Sequence, residues 1–158
     1  MLRWLWLSVL VIVLDQWSKT AVENSFMLYE RLPVTSFFNL TLAYNKGAAF
    51  SFLADAGGWQ QFFFIGLAVL VCGYLIYFLR TLSAGLIALP LGVAMIIGGA
   101  LGNVIDRLLY GHVIDFLDFY IHDWHWPVFN LADSAITLGV ILFIWDSFFG
   151  ASAKADQP

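Results

Sequence analysis

Residues 59–79 read WQQFFFIGLAVLVCGYLIYFL and contain no charged side chain. A helix needs about 20 mostly apolar residues to cross a lipid bilayer, so this stretch predicts a membrane span. Arg80 ends it, and a second uncharged run follows over residues 81–105. That run contains Pro90 and several glycines, which membrane helices tolerate because neighbouring helices satisfy the freed backbone groups. The sequence therefore predicts two consecutive spans joined by a short turn.

The composition of the whole chain is also that of an integral membrane protein. Of its 158 residues, 61% are hydrophobic and 11% are charged, whereas soluble domains contain about 45–50% and about 25%. These proportions exclude a soluble globular enzyme and a disordered chain. The net charge of −4 offers no basic face for phosphates and excludes a nucleic-acid-binding protein. The single cysteine, Cys72, excludes a disulfide framework and a cysteine-based zinc site.

Two further apolar stretches, residues 4–22 and 129–149, are interpreted as spans although they contain charged side chains. Asp15 and Lys19 lie in the first stretch, and Asp133 lies near the start of the second. The first stretch has the length of a signal peptide, but no small-x-small cleavage pattern follows its apolar part. We therefore interpret it as an uncleaved span.

Four spans predict a mainly α-helical polytopic membrane protein with one membrane-embedded domain over residues 1–158. The predicted spans cover residues 4–22, 59–79, 86–105 and 129–149, with loops at 23–58 and 106–128 and a tail at 150–158. Residues 34–44 are rich in β-branched and aromatic side chains, which predicts one or two short strands at the membrane surface.

The orientation in the membrane depends on where Lys and Arg lie. Four spans place both termini on one side, with Arg3, Arg80 and Lys154; the two larger loops on the other side carry Arg31, Lys46 and Arg107. This count is even. If a site holds Lys46 and Arg107, the positive-inside rule favours termini in the cytoplasm.

Seven polar residues in or beside the predicted spans gather at the end opposite to the termini. They are Asp15, Lys19, Asn103, Arg107, Asn130, Asp133 and Ser134. A charge inside a bilayer costs several kcal/mol, about 2.5–3.5 on insertion scales, so such groups normally pair or face a cavity. Ion pairs that join helices are one interpretation, and Lys19 and Arg107 fit it as well as they fit a site. The adjacent loop adds Asp106, Asp115, Asp118 and Asp123, which exceeds the cations nearby.

Carboxylates brought close together share a proton, which provides a general acid and a general base. Peptide hydrolysis of the aspartic type uses such a pair without a metal. Asp115 and Asp133 both lie where an outer loop meets the membrane, but spacing alone leaves other aspartate pairs open. We interpret Asp118 and Asp123 as solvated loop carboxylates and Asp106 as a local partner of Arg107 or a helix cap.

Five motifs in order along the chain resemble those of the lipoprotein signal peptidase, or signal peptidase II, family. They are DQWSK at 15–19, NKGAAF at 45–50, GGALGNVIDR at 98–107, VIDF at 113–116 and FNLADS at 129–134. The resemblance covers the whole chain and implies an aspartic endopeptidase with catalytic residues Asp115 and Asp133. It also implies that seven residues line or brace the site: Asp15, Lys19, Asn45, Asn103, Arg107, Asn130 and Ala132.

The family resemblance implies the reaction and the setting as well. The expected substrate is a prolipoprotein that is cut just before a diacylglyceryl-modified cysteine, with no metal or other cofactor. The expected fold is four transmembrane helices with a small periplasmic β-cradle and a short periplasmic helix. We expect a monomer in the bacterial inner membrane that contacts membrane lipids and no nucleic acid, with cytoplasmic termini and a periplasmic active site.

Other interpretations of the same residues remain. His112, His122 and His125 invite a zinc hypothesis, but we interpret them as interfacial anchors because a zinc site needs three or four fixed ligands. Gly98 and Gly102 have the spacing of a helix-packing motif. A proton-coupled transporter and a structural subunit are the rival function classes. A transporter predicts ionisable groups spread across the membrane depth.

Overall fold

The computed structural model describes residues 1–47, 58–83 and 85–150. Four long helices dominate it: α1 (Leu5–Glu23), α2 (Trp59–Thr81), α3 (Ala88–Tyr110) and α4 (Leu131–Trp145). A 3-10 turn at Leu2–Trp4 precedes α1, and a π-helical turn at Asp146–Gly150 continues α4. With these turns, all four are long and apolar enough to cross a membrane. The prediction of four spans is confirmed.

Helix α3 lies at the centre of the bundle and packs against the other three helices. In the 18-residue apolar stretch of α3, 61% is buried inside the protein, compared with 17–22% in the corresponding stretches of α1, α2 and α4. The main apolar core forms where Val93 and Ile97 of α3 meet Leu75 and Leu79 of α2. The outward faces carry large exposed apolar side chains, as expected for surfaces that contact lipid.

Glycines let α3 and α4 approach closely. A Cβ atom on Gly99 would lie 2.3 Å from the carbonyl oxygen of Ala132, and one on Gly92 would lie 2.7 Å from that of Gly139. Gly98 similarly faces the backbone of Ser8 on α1 at 2.8 Å. The packing role inferred for the glycine-rich end of α3 fits these contacts.

Helix α3 continues past the predicted end of the span at residue 105. It ends at Tyr110, where Gly111 adopts the left-handed conformation (φ 74°) and its N–H bonds to Arg107 O. Asp106 and Arg107 belong to the helix because both side chains find partners there, so their charges do not terminate it. Gly111 is a typical C-terminal helix stop.

A four-stranded antiparallel sheet lies beside the helix ends, in the order β1 (Arg31–Thr35), β2 (Phe38–Asn45), β3 (Val113–Ile121) and β4 (Trp124–His125). Strands β1 and β2 agree with the segment predicted from residues 34–44. Strands β3 and β4 were missed, since residues 106–128 were predicted as a loop. The run VIDFLDFYI of β3 carries the β-branched and aromatic residues of a strand, but it also contains Asp115 and Asp118, and aspartate is depleted in strands.

The register of the sheet places Asp115 opposite Ala43 and Asn45 opposite Val113. An irregularity in β2 between Leu40 and Ala43 interrupts the pairing. The two longer connections contain no short helix within residues 24–47 and 111–130. The predicted tail, apart from Gly150, and residues 48–50 of the second motif lie outside the described part of the chain.

Candidate active site

Polar side chains from three helices and two strands converge where the bundle meets the sheet. Helices α1 and α3 contribute from their C-terminal halves and α4 from its N-terminus, while β2 and β3 close the group from the sheet. Every sequence-predicted site residue lies in this group: Asp15, Lys19, Asn45, Asn103, Arg107, Asp115, Asn130, Ala132 and Asp133.

Lys19 is the buried cation of the group. Its side chain is only 2% exposed, and Nζ lies 2.8 Å from Asp15 Oδ2 and 2.9 Å from Asp106 Oδ2. Nζ also donates to Asn103 Oδ1 at 2.9 Å. Buried charges are stable only when they are paired and hydrogen-bonded. Lys19 therefore holds α1 to α3 and polarises the Asn103 amide.

Asp106 was missed as a member of this group, and the prediction that it pairs locally or caps a helix end is wrong. It is fully buried, binds Lys19, and accepts hydrogen bonds from Gln16 Nε2 (2.7 Å) and the Ile114 backbone N–H (3.1 Å). Gln16 also donates to Gly102 O. Gln16 and Asp106 both lie inside quoted motifs, which was the available signal.

Asp133 lies in the first turn of α4. Asn130 is the N-cap, and the two residues form a capping box: the Asp133 N–H donates to Asn130 Oδ1 (2.9 Å), and the Asn130 N–H donates to Asp133 Oδ2 (3.3 Å). Asn103 Nδ2 donates to Asp133 Oδ1 at 2.8 Å. The N-terminus of a helix favours a negative charge at this position.

Asp115 lies on β3 and is 3% exposed. Asn130 Nδ2 donates to its Oδ1 at 2.7 Å, and Asn45 Nδ2 donates to its Oδ2 at 3.0 Å. Burial, reinforced by the negative charge of Asp133, raises the pKa of the Asp115 carboxyl to about 7. Asp115 therefore keeps a proton at a pH where an ordinary aspartate is ionised.

A cavity of about 700 Å³ opens beside these residues. Its polar side is formed by Asn45, Asn103, Arg107 and Asp133, and its apolar side includes Val113, Ile136, Leu138 and the segment 126–129. A pocket with one polar wall and one apolar wall suits a substrate that has both a peptide backbone and hydrocarbon groups.

Arg107 and Ala132 brace the site through backbone atoms. Arg107 Nη2 donates to Gly47 O at 2.9 Å and Nη1 donates to Asn103 O at 3.1 Å, while its guanidinium lies over the Phe64 ring. The Ala132 N–H donates to Asp15 Oδ1 at 2.9 Å. Arg107 thus ties the C-terminal end of α3 to the chain just after β2.

Comparison with known proteins identifies the family. The sequence profile described as Signal peptidase (SPase) II matches residues 7–149. The chain belongs to the signal peptidase II family. Proteins named Lipoprotein signal peptidase from Aeromonas hydrophila (54% identity over 158 residues, 99% of this chain and 95% of that protein) and Alteromonas mediterranea (50% over 156 residues, 99% and 86%) are among its relatives.

Solved structures agree with the family assignment. A bacterial membrane enzyme determined by the in meso method at 2.3 Å resolution has a TM-score of 0.87, with 31% identity over 99% of this chain and 93% of that one. A second, at 1.9 Å resolution, has a TM-score of 0.78 with 32% identity and covers 90% of each chain. The chain is thus a membrane peptidase, which sets aside the transporter and the structural subunit.

The prediction for Asp118 is wrong as well. Asp118 is not a solvated loop carboxylate: it is fully buried on β3, where Asn39 Nδ2 lies 2.9 Å from its Oδ2 and His125 Nδ1 lies 2.7 Å from its Oδ1. His125, interpreted as an interfacial anchor, is thus the partner of a buried carboxylate. Within the described ranges, no group of three or more His, Cys, Asp or Glu side chains is arranged to hold a metal ion.

Proposed function

We propose that this peptidase removes the signal peptide from diacylglyceryl-modified prolipoproteins, cutting just before the lipid-modified cysteine, with Asp115 and Asp133 as its catalytic pair. The observation that carries the proposal is that Asn130 donates to both carboxylates, from Nδ2 to Asp115 and from its backbone N–H to Asp133. Two aspartates held by one residue beside a cavity with a polar and an apolar wall fit an aspartic peptidase for a lipidated substrate.

The surroundings of the two carboxyls favour unequal protonation. Asp133 accepts two N–H donors at the start of α4, where the helix dipole favours its ionised form. Asp115 is buried, and its pKa of about 7 favours the protonated form near neutral pH. We therefore assign the resting proton to Asp115 and the negative charge to Asp133.

Hydrolysis then follows with balanced proton transfers. Ionised Asp133 takes a proton from water as the water oxygen bonds to the scissile carbonyl carbon, and Asp115 gives its proton to the carbonyl oxygen. The resulting diol collapses when Asp133 protonates the leaving nitrogen and the carbon–nitrogen bond breaks. Asp115 regains its proton from a diol hydroxyl, so the enzyme returns to its resting state with one water consumed.

The other site residues support this chemistry by position. The Lys19 ammonium polarises Asn103, which strengthens the hydrogen bond from Asn103 to Asp133. Asn45 lines the cavity and donates to Asp115, so a peptide that enters the cavity lies next to a side chain that holds Asp115.

The proposed setting is the bacterial inner membrane. Four spans put both termini on one side, and the site lies at the opposite end of the bundle. We propose that the termini are cytoplasmic, that the site faces the periplasm beside the lipid headgroups, and that the enzyme is a monomer.

Reconstitution tests the reaction. The purified chain in lipid vesicles is given two forms of one prolipoprotein, with and without the diacylglyceryl group, and the products are analysed by mass spectrometry. We expect cleavage of the diacylated form alone, with the modified cysteine as the new N-terminal residue. Equal cleavage of both forms, or a cut at another bond, would contradict the proposed specificity.

A further inference from the structure

A second buried carboxylate, Asp118, lies outside the proposed catalytic group. It is three residues from Asp115 along β3, so the two side chains leave opposite faces of the strand. Asp118 is nevertheless 0% exposed. A buried carboxylate is costly unless its oxygens are bonded, so its partners indicate what it does.

Each of the other three strands contributes a side chain whose nitrogen lies near the Asp118 carboxylate. Asn39 of β2 donates to Oδ2 at 2.9 Å, His125 of β4 lies with Nδ1 2.7 Å from Oδ1, and Arg31 of β1 lies with Nε 3.7 Å from Oδ2. The Arg31 side chain is 57% exposed, and a long exposed pair of this kind contributes little. Asn39 and His125 are therefore the main partners.

His125 directly precedes a segment that borders the candidate active site. Strand β4 is only two residues long, Trp124–His125, and pairs with Ile121 and Tyr120. The chain then runs through residues 126–129, which form one wall of the 700 Å³ cavity, to the N-cap Asn130.

Backbone hydrogen bonds also hold both ends of this segment. Trp126 N–H donates to Phe119 O. Phe129 O accepts from the Phe116 and Leu117 N–H groups, and Phe129 N–H donates to Leu117 O. So short a hairpin is weak by itself. A charge-assisted hydrogen bond to a buried carboxylate is about twice as strong as a neutral one, so the Asp118–His125 contact is well placed to fix it.

We propose that Asp118 and His125 form a positioning pair that sets the 126–129 wall of the cavity and thereby the affinity for the lipidated substrate. Neither residue is proposed to touch the scissile bond. The inference rests on the proposed reaction. Loss of the Asp118–His125 contact is expected to raise KM about tenfold, because the substrate binds less tightly when the 126–129 segment shifts. The value of kcat should change by no more than about twofold, because Asp115 and Asp133 are unaffected.

Three replacements of His125 separate the hydrogen bond from ring packing. His125→Phe keeps an aromatic ring to stack on Tyr120, which lies 5.1 Å away, but has no donor. His125→Asn loses the ring but places an amide nitrogen near the position of Nδ1. His125→Ala loses both. His122→Asn, in the same hairpin turn at an exposed position with φ 55°, is the matched control, because asparagine tolerates that conformation.

The test measures kcat and KM for diacylated prolipoprotein in vesicles, together with hydrogen exchange of residues 126–129. We expect His125→Phe and His125→Ala to raise KM and to speed hydrogen exchange of residues 126–129. For His125→Asn and the control His122→Asn we expect KM and exchange rates near those of wild type. A raised KM for His125→Asn with a wild-type KM for His125→Phe would overturn the proposal in favour of ring packing. A wild-type KM for all three His125 variants would overturn it as well. A wild-type chain that cleaves no diacylated substrate would instead overturn the proposed function.

Asp118 supplies a second line of evidence. In a double-mutant cycle, Asp118→Ala and His125→Ala should each raise KM, and the double variant should be no worse than the more impaired single one. Additive effects on KM would show that the residues act independently and would contradict the pair.

Discussion

The side-chain amide of Asn130 lies 3.2 Å from Oδ1 of Asn103, and this contact joins the hydrogen bonds around Asp115 to those around Asp133. The same Asn103 oxygen accepts a hydrogen bond from Lys19. One buried cation is thus connected through two amides to both carboxylates. The connection explains why a membrane-embedded lysine and two asparagines accompany the aspartates in the sequence motifs.

Asn130 has two roles that one substitution can separate. Asn130→Ser keeps an N-cap for α4, since serine caps as well as asparagine, but removes the Nδ2 donor to Asp115. We expect a fall in kcat of about 100-fold, the size typical of a disturbed acid–base group. We also expect a modest fall in melting temperature, because Asn103 Oδ1 and Ile114 O lose the same buried donor. Asn130→Ala, which loses both roles, should also destabilise the protein. Wild-type kcat in Asn130→Ser would show that the amide is not needed.

Lys19 is expected to be essential for stability. Lys19→Met leaves Asp15 and Asp106 buried without their cation, and breaking a buried pair in this way costs about 3–5 kcal/mol. Thermal unfolding in detergent micelles checks this. Lys46→Met, at an exposed position, is the control and should unfold like wild type. Adding Asp106→Asn to Lys19→Met should recover part of the loss, whereas no recovery would contradict the pairing.

The contact between α3 and α4 depends on Gly99. In Gly99→Ala the new methyl group would lie 2.3 Å from Ala132 O, so the helices must separate. We expect destabilisation of about 1–3 kcal/mol, as for other overpacked sites, together with reduced cleavage, because Ala132 also binds Asp15. Gly73→Ala on α2 is the matched control: it meets nothing within 4 Å and should stabilise the helix slightly.

The raised pKa of Asp115 predicts how cleavage depends on pH. If Asp115 must donate a proton, kcat should fall by about tenfold per pH unit above its pKa of about 7. A kcat that stays constant up to pH 9 would contradict the assignment of the proton to Asp115.

The same shift affects stability. Between its ordinary value of 3.8 and about 7 the folded Asp115 binds a proton that the unfolded chain has lost, so stability falls as pH rises through this range. Asp115→Asn removes the group. Its melting temperature relative to wild type should therefore increase from pH 4 to pH 7 and level off above, and a difference that is constant with pH would contradict the shift.

The sequence predicts the helical part of the fold because membrane spans are a matter of length and apolar composition. It also places Asp15 and Lys19 on one face of α1, as their spacing of four requires. It does not predict β3, since the pairing of β3 with β2 joins residues about 75 positions apart and local pattern carries no information on such partners.

The sequence predicts which residues belong to the candidate site better than it predicts how they contact one another. The family motifs name the residues, but they do not show that Asn45 and Asn130 both donate to Asp115. Asp106 and Asp118 were misjudged because burial of a carboxylate depends on partners from distant segments: Lys19 for Asp106, and Asn39 and His125 for Asp118. The neighbouring sequence shows that a charged side chain is present, but it does not show which distant residues bind and neutralise it.

The most direct test of the catalytic pair compares Asp115→Asn, Asp133→Asn and the double variant with wild type, using diacylated prolipoprotein in vesicles. Each protein is first shown to be folded by its melting temperature. We predict that either single change lowers kcat by at least about 1,000-fold and that the double variant is no slower, because the two carboxyls act as one unit. Cleavage at the wild-type rate by either single variant would contradict the assignment of Asp115 and Asp133 as the catalytic pair.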